Sequence, residues 1–219
     1  MTLNDLFCEG LKELGIPPSP EKTALLELFL NELSHWNSIP GRKIGIGLVR
    51  ASEEEIVIRH ILDSLAALPV IREFRASEIL DIGSGGGFPG IPLAIFLPNT
   101  SITLLERSAR KAAYLRWVKA SLKLDNVIVM ENDLREINNT YDLIVFRAFS
   151  KIPDIIDKLL KITSLSGKIA AYKGKTNSIE TEIEPLYEYK GKDKIRDIEV
   201  IPLKTPFLNE ERNLLVISK

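Results

Sequence analysis

The chain has 219 residues, 45% apolar and 27% charged, and 29 basic against 30 acidic side chains leave a net charge of -1. A chain of this length buries enough surface to fold without staples, and its composition excludes a disordered tail and a strongly basic nucleic-acid wrapper. A single cysteine, Cys8, and two histidines, His35 and His60, exclude a disulfide framework and a Cys/His zinc cluster, so no metal is expected.

Residues 1 to about 75 read as helices only. The first fourteen carry Asp5, Glu9 and Glu13 with no basic stretch before an apolar core, and no apolar run has membrane-spanning length. A cytoplasmic protein without a membrane partner is therefore expected. Ser19-Pro20-Glu21 opens a helix, with Ser19 as N-cap and proline at the first position, where its missing N–H costs nothing. Leu25, Leu26, Leu28, Phe29, Leu33 and Trp36 follow at helical spacing. Gly41 to Gly47 is a glycine-rich, basic loop. Ser52-Glu53-Glu54-Glu55 fits a capping box and predicts a helix through His60 and Asp63 to about Leu68.

From Glu78 the pattern changes. Short β-rich runs occur at Ile79–Ile82, Ile102–Leu105, Val127–Met130, Leu143–Phe146 and Ile169–Tyr172. Helical segments at Ile91–Leu97, Ala109–Leu122 and Ile155–Ile162 lie among them, which predicts βαβ units and a parallel sheet. Ile195–Ile201 and Asn213–Ile217 have no room for a helix between them and predict an antiparallel pair closing that sheet. The expected organisation is a helical extension over 1–75 and an α/β domain over 76–219.

Asp81-Ile82-Gly83-Ser84-Gly85-Gly86-Gly87-Phe88-Pro89-Gly90 follows the first strand and opens the next helix. Glycines at such a turn let a ligand approach the backbone beyond the strand ends. Gly85, Gly87 and Gly90 have dinucleotide spacing, but Pro89 interrupts that turn. Acids stand at the ends of the first three strands: Asp81, Glu106 and Asp133. A carboxylate at Asp81 faces a pyrophosphate poorly and suits a cationic ligand such as S-adenosylmethionine. Glu106 is placed for ribose hydroxyls and Asp133 for an adenine amino group. The pattern points to a methyltransferase, with dinucleotide binding and non-catalytic RNA binding as competing readings.

The acceptor is narrowed by what is missing. Cytosine C5 needs a cysteine nucleophile, and Cys8 lies in the helical extension. Exocyclic amines usually need an Asn/Asp-Pro-Pro-aromatic loop after the fourth strand, where this chain reads Phe146-Arg147-Ala148-Phe149-Ser150. A ring nitrogen with a free lone pair, such as guanine N7, needs no deprotonation. Arg147 then orients the cofactor carboxylate or the guanine edge, or else merely pairs with Asp142 or Glu136.

Further motifs carry a resemblance over nearly the whole chain. Arg59-His60-Ile61-Leu62-Asp63-Ser64, the glycine turn through Phe88-Pro89-Gly90-Ile91-Pro92, Leu104-Leu105-Glu106 with Arg110-Lys111, Arg147-Ala148, Lys173-Gly174 and Glu211-Arg212 occur in order. Together they resemble the bacterial small-subunit ribosomal RNA guanine-N7 methyltransferases, the RsmG/GidB family. The resemblance implies a class I, Rossmann-like methyltransferase fold with a helical N-terminal extension. It also implies S-adenosylmethionine as donor and guanine N7 in 16S ribosomal RNA, alone or in the 30S subunit, as acceptor. Gly83 and Phe88 should touch the cofactor, with Ser84, Gly85 and Gly87 in the same turn. Leu134 and Arg135 should hold its adenine end, and Arg147 should reach the site.

Residues 107 to 124 hold six basic side chains and no acid. Arg107, Arg110 and Lys111 oppose the helix macrodipole there, so local stability does not explain them. Arg110 and Lys111 are expected at RNA phosphate, as is Lys173. His60 and Asp63, three apart, are expected to pair and anchor the extension. Trp36 and Trp117 are expected in the core, and the chain is expected to be a monomer.

Overall fold

Thr2 starts the first helix through a reciprocal cap, its hydroxyl accepting from Asp5 N–H while the Asp5 carboxylate accepts from Thr2 N–H. That helix is α1, Leu3–Glu13. A computed structural model of the chain describes residues 2–38 and 48–219, so the predicted glycine-rich loop at 41–47 lies outside the described residues. Helix α2, Pro20–Ser38, begins at the predicted proline. The predicted capping box at Ser52 is present and opens α3, Glu53–Ile56. The helix then departs from expectation. It widens into a π-helical stretch, Val57–Leu62, returns to α-helix as α4, Asp63–Ala66, and is followed by α5, Leu68–Glu73.

The predicted strands and helices follow as β1 Glu78–Ile82, α6 Gly90–Phe96, β2 Ser101–Leu105, α7 Ala109–Ser121, β3 Val127–Met130, β4 Tyr141–Arg147 and α8 Ile152–Ile162. The fifth strand, β5, spans Thr163–Lys173 and starts six residues before the predicted run. Its first half is polar, and its register against β4 shifts between Tyr141 and Leu143, which hides it from an alternation search. Helix α9, Thr176–Ile183, has no counterpart in the sequence pattern. It is short and buries only Ile179 and Ile183. The strands β6, Asp197–Leu203, and β7, Arg212–Ser218, form the expected antiparallel pair.

One seven-stranded sheet has the order β3-β2-β1-β4-β5-β7-β6. The first five strands run parallel, and β7 pairs antiparallel with β5. Chain direction across the sheet reverses between β1 and β4, which opens a crevice at their carboxyl ends. Both sheet faces are covered, so β1, β2 and β4 are buried along most of their length rather than alternating between buried and exposed. On one face Ile79 and Val145 pack with Leu6, Phe7, Phe29, Ile61 and Tyr114. On the other, Leu80 and Ile144 pack with Ile156, Leu159 and Ile179 of α8 and α9. The N-terminal helices thus share one apolar cluster with the sheet.

The two tryptophans differ. Trp36 packs edge-on against Tyr114, with ring centroids 5.5 Å apart, as predicted. Trp117 is 53% exposed and donates its indole N–H to Glu32, which corrects its placement in the core. The buried face of α7 is formed instead by Ala112, Tyr114, Leu115 and Val118.

Candidate active site

The predicted glycine turn lies at the crevice. Gly83 and Gly87 have φ of 72° and 93°, values that only glycine adopts without strain, and the Phe88–Pro89 peptide is cis. Asp81 on β1 is fully buried, and its Oδ2 accepts from Gly90 N–H at 3.0 Å. A Cβ at Gly90 would stand 2.6 Å from that oxygen and 2.2 Å from Leu104, so only glycine permits this closure. Asp81 Oδ1 has no partner among the described residues. Burial pushes the Asp81 carboxyl up to about 7, against the pull of Ser84, Gly90 N–H and Arg147.

Glu106 follows β2 and is also buried. Its Oε2 accepts from Gly85 N–H at 3.1 Å and its Oε1 from Ser108 N–H at 2.8 Å. It ties the glycine turn to the end of β2, and each oxygen keeps a lone pair for a hydroxyl donor. Asp133 caps a short 3-10 turn, Leu134–Glu136. Two hydrogen bonds from the Arg135 guanidinium and one from Arg135 N–H hold its carboxyl down at about 2. A cleft of about 370 Å³ runs between these strand ends, lined by Gly83, Glu106, Lys111, Asp133, Leu134 and Phe149, among others.

A second cavity, about 700 Å³, adjoins the cleft across Ala148, Phe149 and Ser150, which line both. Both volumes are in the range of small-ligand sites. Five cationic side chains and two carboxylates line the larger one. Arg147, at the end of β4, dominates it. Its Nη1 donates to Asp63 at 3.2 Å and to the Arg59 carbonyl at 3.0 Å, and its Nη2 bonds His60 Nδ1. Its guanidinium lies 5.4 Å from the centre of the Phe88 ring. The Phe88 ring in turn is 5.2 Å from both Phe29 and His60.

This arrangement removes one alternative and corrects one expectation. Arg147 does not pair with Asp142 or Glu136. Asp142 instead takes the Ser77 and Glu78 N–H groups, and Glu136 bonds Asn132 and the Asp133 N–H. Nor does His60 pair with Asp63. They sit in and just after the π-helical turn, and each bonds a different nitrogen of the same guanidinium. Both reach Arg147 separately. Asp63 Oδ1 also accepts from Arg212 Nε at 3.1 Å and from Thr205 at 3.0 Å, which makes a nearly buried Arg–Asp–Arg triad.

Of the remaining expected residues, Lys111 lines the smaller cleft and Arg110 is exposed one position earlier on α7. Lys173 lines the larger cavity, but its ammonium is held by Glu182 at 2.7 Å in a largely buried pair, so the expected phosphate contact is not supported by its geometry. Sequence reasoning missed Phe149, Thr205 and the link from Asp63 to Arg212. The available signal was the unusual loop after β4, where an aromatic follows an arginine by two positions. The side-chain bonds to Asp63 span up to 149 residues, and spacing does not report such separations.

The rRNA small subunit methyltransferase G (GidB) family model matches residues 22–214. A relative so named from Polynucleobacter asymbioticus is 35% identical over 97% of this chain and 94% of its own. Another from Borrelia turicatae is 34% identical over 99% of this chain and 100% of its own. Among solved structures, an O-methyltransferase from Bacillus cereus in complex with SAH has a TM-score of 0.63 at 16% identity, covering 97% of both chains. M. jannaschii TYW2 in complex with AdoMet has a TM-score of 0.52 at 20% identity, covering 70% of this chain and 75% of its own. At those identities the solved structures establish the fold, a class I methyltransferase sheet. The match to the family model extends over most of the chain and both relatives are similar end to end, so this chain belongs to the rRNA small subunit methyltransferase G (GidB) family.

Proposed function

We propose that the chain transfers the methyl group of S-adenosylmethionine to N7 of a guanine in 16S ribosomal RNA. One observation carries the choice of acceptor. Among the described residues, the carboxylates and the imidazole lining the larger cavity are already paired with cations: Asp63 with Arg147 and Arg212, Glu182 with Lys173, and His60 Nδ1 with Arg147. None of these is a free base ready to take a proton. Guanine N7 offers a lone pair and requires no proton to be removed.

The smaller cleft fits the cofactor. Glu106 lines it and retains acceptor capacity for ribose hydroxyls, and Oδ1 of Asp81, buried against Gly90 of the adjoining glycine turn and without a partner among the described residues, suits a cationic group. In this reading Asp81, Gly83, Ser84, Gly85, Gly87 and Phe88 hold the methionine end. Glu106 holds the ribose, and Asp133, Leu134 and Arg135 flank the adenine. S-adenosylmethionine supplies an electrophilic methyl group on a sulfonium. The chain's own contribution is positioning: Arg147, fixed by three partners, orients the cofactor carboxylate or the guanine edge. Arg110 and Lys111 contact RNA phosphate beside the cleft mouth.

The test uses 30S subunits and naked 16S RNA from cells lacking the protein. Each is incubated with labelled S-adenosylmethionine and digested to nucleosides. Label in N7-methylguanosine is expected; label in any other nucleoside refutes the acceptor.

A further inference from the structure

Arginine has N–H donors and no acceptor, and it stays protonated. The bond between Arg147 Nη2 and His60 Nδ1 therefore leaves Nδ1 as acceptor. A neutral imidazole with Nδ1 as acceptor carries its proton on Nε2. Burial and the neighbouring Arg147 and Arg59 charges lower His60 to about 4, consistent with that neutral form at pH 7. His60 lines the 700 Å³ cavity, and its hydrogen bond to Arg147 uses Nδ1, on the other side of the ring from Nε2. The ring also packs against Phe88 of the glycine turn, at 5.2 Å between centroids, and the cavity that His60 lines adjoins the cofactor cleft across Ala148, Phe149 and Ser150.

We infer that His60 reads the acceptor base, its Nε2–H donating to O6 of the guanine whose N7 is methylated. Guanine presents two neighbouring acceptors, N7 and O6, on that edge, whereas adenine presents N7 and an amino donor. A fixed N–H beside N7 therefore accepts guanine and opposes adenine, which would leave two donors facing each other. The π-helical stretch has a use in this scheme. It lets Arg59, through its carbonyl, and His60, through its ring, grip Arg147 together. The arginine that organises the cavity thus also sets the tautomer of the base reader.

The inference rests on the guanine-N7 reading, and the experiment separates the two. His60→Asn places an amide near the Nδ1 position and keeps an acceptor for Arg147 while removing the distal donor. His60→Gln places its amide near Nε2 and keeps that donor while loosening the grip on Arg147. Single-turnover methylation of 30S subunits from cells lacking the protein is measured with nucleoside digestion, beside calorimetric binding of S-adenosylmethionine. The expected result is N7-methylguanosine from the wild type, a loss of roughly tenfold or more in His60→Asn with near wild-type cofactor binding, and a clearly smaller loss of methylation in His60→Gln. Equal losses, or a larger loss in His60→Gln, overturn the inference and assign His60 to holding Arg147. Label from the wild type in another nucleoside overturns the acceptor reading itself, whatever the variants do.

Discussion

Asp63 has the most connected carboxylate in the larger cavity, and its chemistry is that of a buried counterion. It is 4% exposed and faces two guanidiniums from β4 and β7. Removing one partner of such a group leaves the others uncompensated. Asp63→Ala should lower stability by about 3 kcal/mol, read as a reduced midpoint in urea denaturation at an unchanged slope. Asp81 is the opposite case, a buried carboxyl whose Oδ1 has no partner among the described residues. Its value near 7 lies above the ordinary 3.8, so it favours the fold at low pH, and that contribution is lost as pH rises through about 7. A cationic ligand beside it reverses the balance and expels the proton. Calorimetry of S-adenosylmethionine binding at about pH 6, in buffers of different ionisation enthalpy, should show proton release that disappears in Asp81→Asn.

Among the elements, α7 sets charge against the local field. No acid stands in its first turn, and Arg110 and Lys111 lie there against the macrodipole. The helix is held by burial of Ala112, Tyr114, Leu115 and Val118 instead. Reversing Arg110 and Lys111 to glutamate should leave thermal stability nearly unchanged while weakening binding to 16S RNA. The slope of log affinity against log salt should flatten by about one for each phosphate no longer neutralised. An unchanged slope in a salt titration would remove α7 from the interface. Strand and helix positions were legible because β-rich runs and 3.6-residue spacing are local signals. The π-helical stretch and the first half of β5 were not, because a π-turn has no periodicity of its own in a helix-forming sequence and the β5 extension is polar.

For the molecule as a whole, the helical extension is part of the core. Leu6, Phe7 and Leu11 of α1 and the following Ile16 lie in the cluster that includes Ile79, Val145 and Leu214 of the sheet. Each such side chain contributes roughly 1.5–3 kcal/mol on burial, so removing residues 2–18 forfeits about 6 kcal/mol or more. That is comparable with the entire stability of a domain, roughly 5–15 kcal/mol. The truncated chain is expected to lose its cooperative urea transition rather than retain an independently stable sheet domain; a single sharp transition near the full-length midpoint would contradict this. The described helices contain no segment long and apolar enough to cross a membrane.

Composition, spacing and strand-end chemistry were enough to place the parallel sheet, its antiparallel closure, the glycine turn and the acids at the ends of the first three strands. These are short-range properties: turns need glycine, strands need β-branched runs, and an acid at a strand end is adjacent to it in sequence. Tertiary structure decided which charges meet. It joined Arg147 to Asp63 and His60, 84 and 87 residues away. It turned Lys173 inward to Glu182 and put Trp117 at the surface. Pairing across such distances depends on how the sheet orders its strands and on where a helix departs from α geometry. No local pattern encodes either, and so the identity of the cavity's acceptors and donors was readable only after the chain was folded.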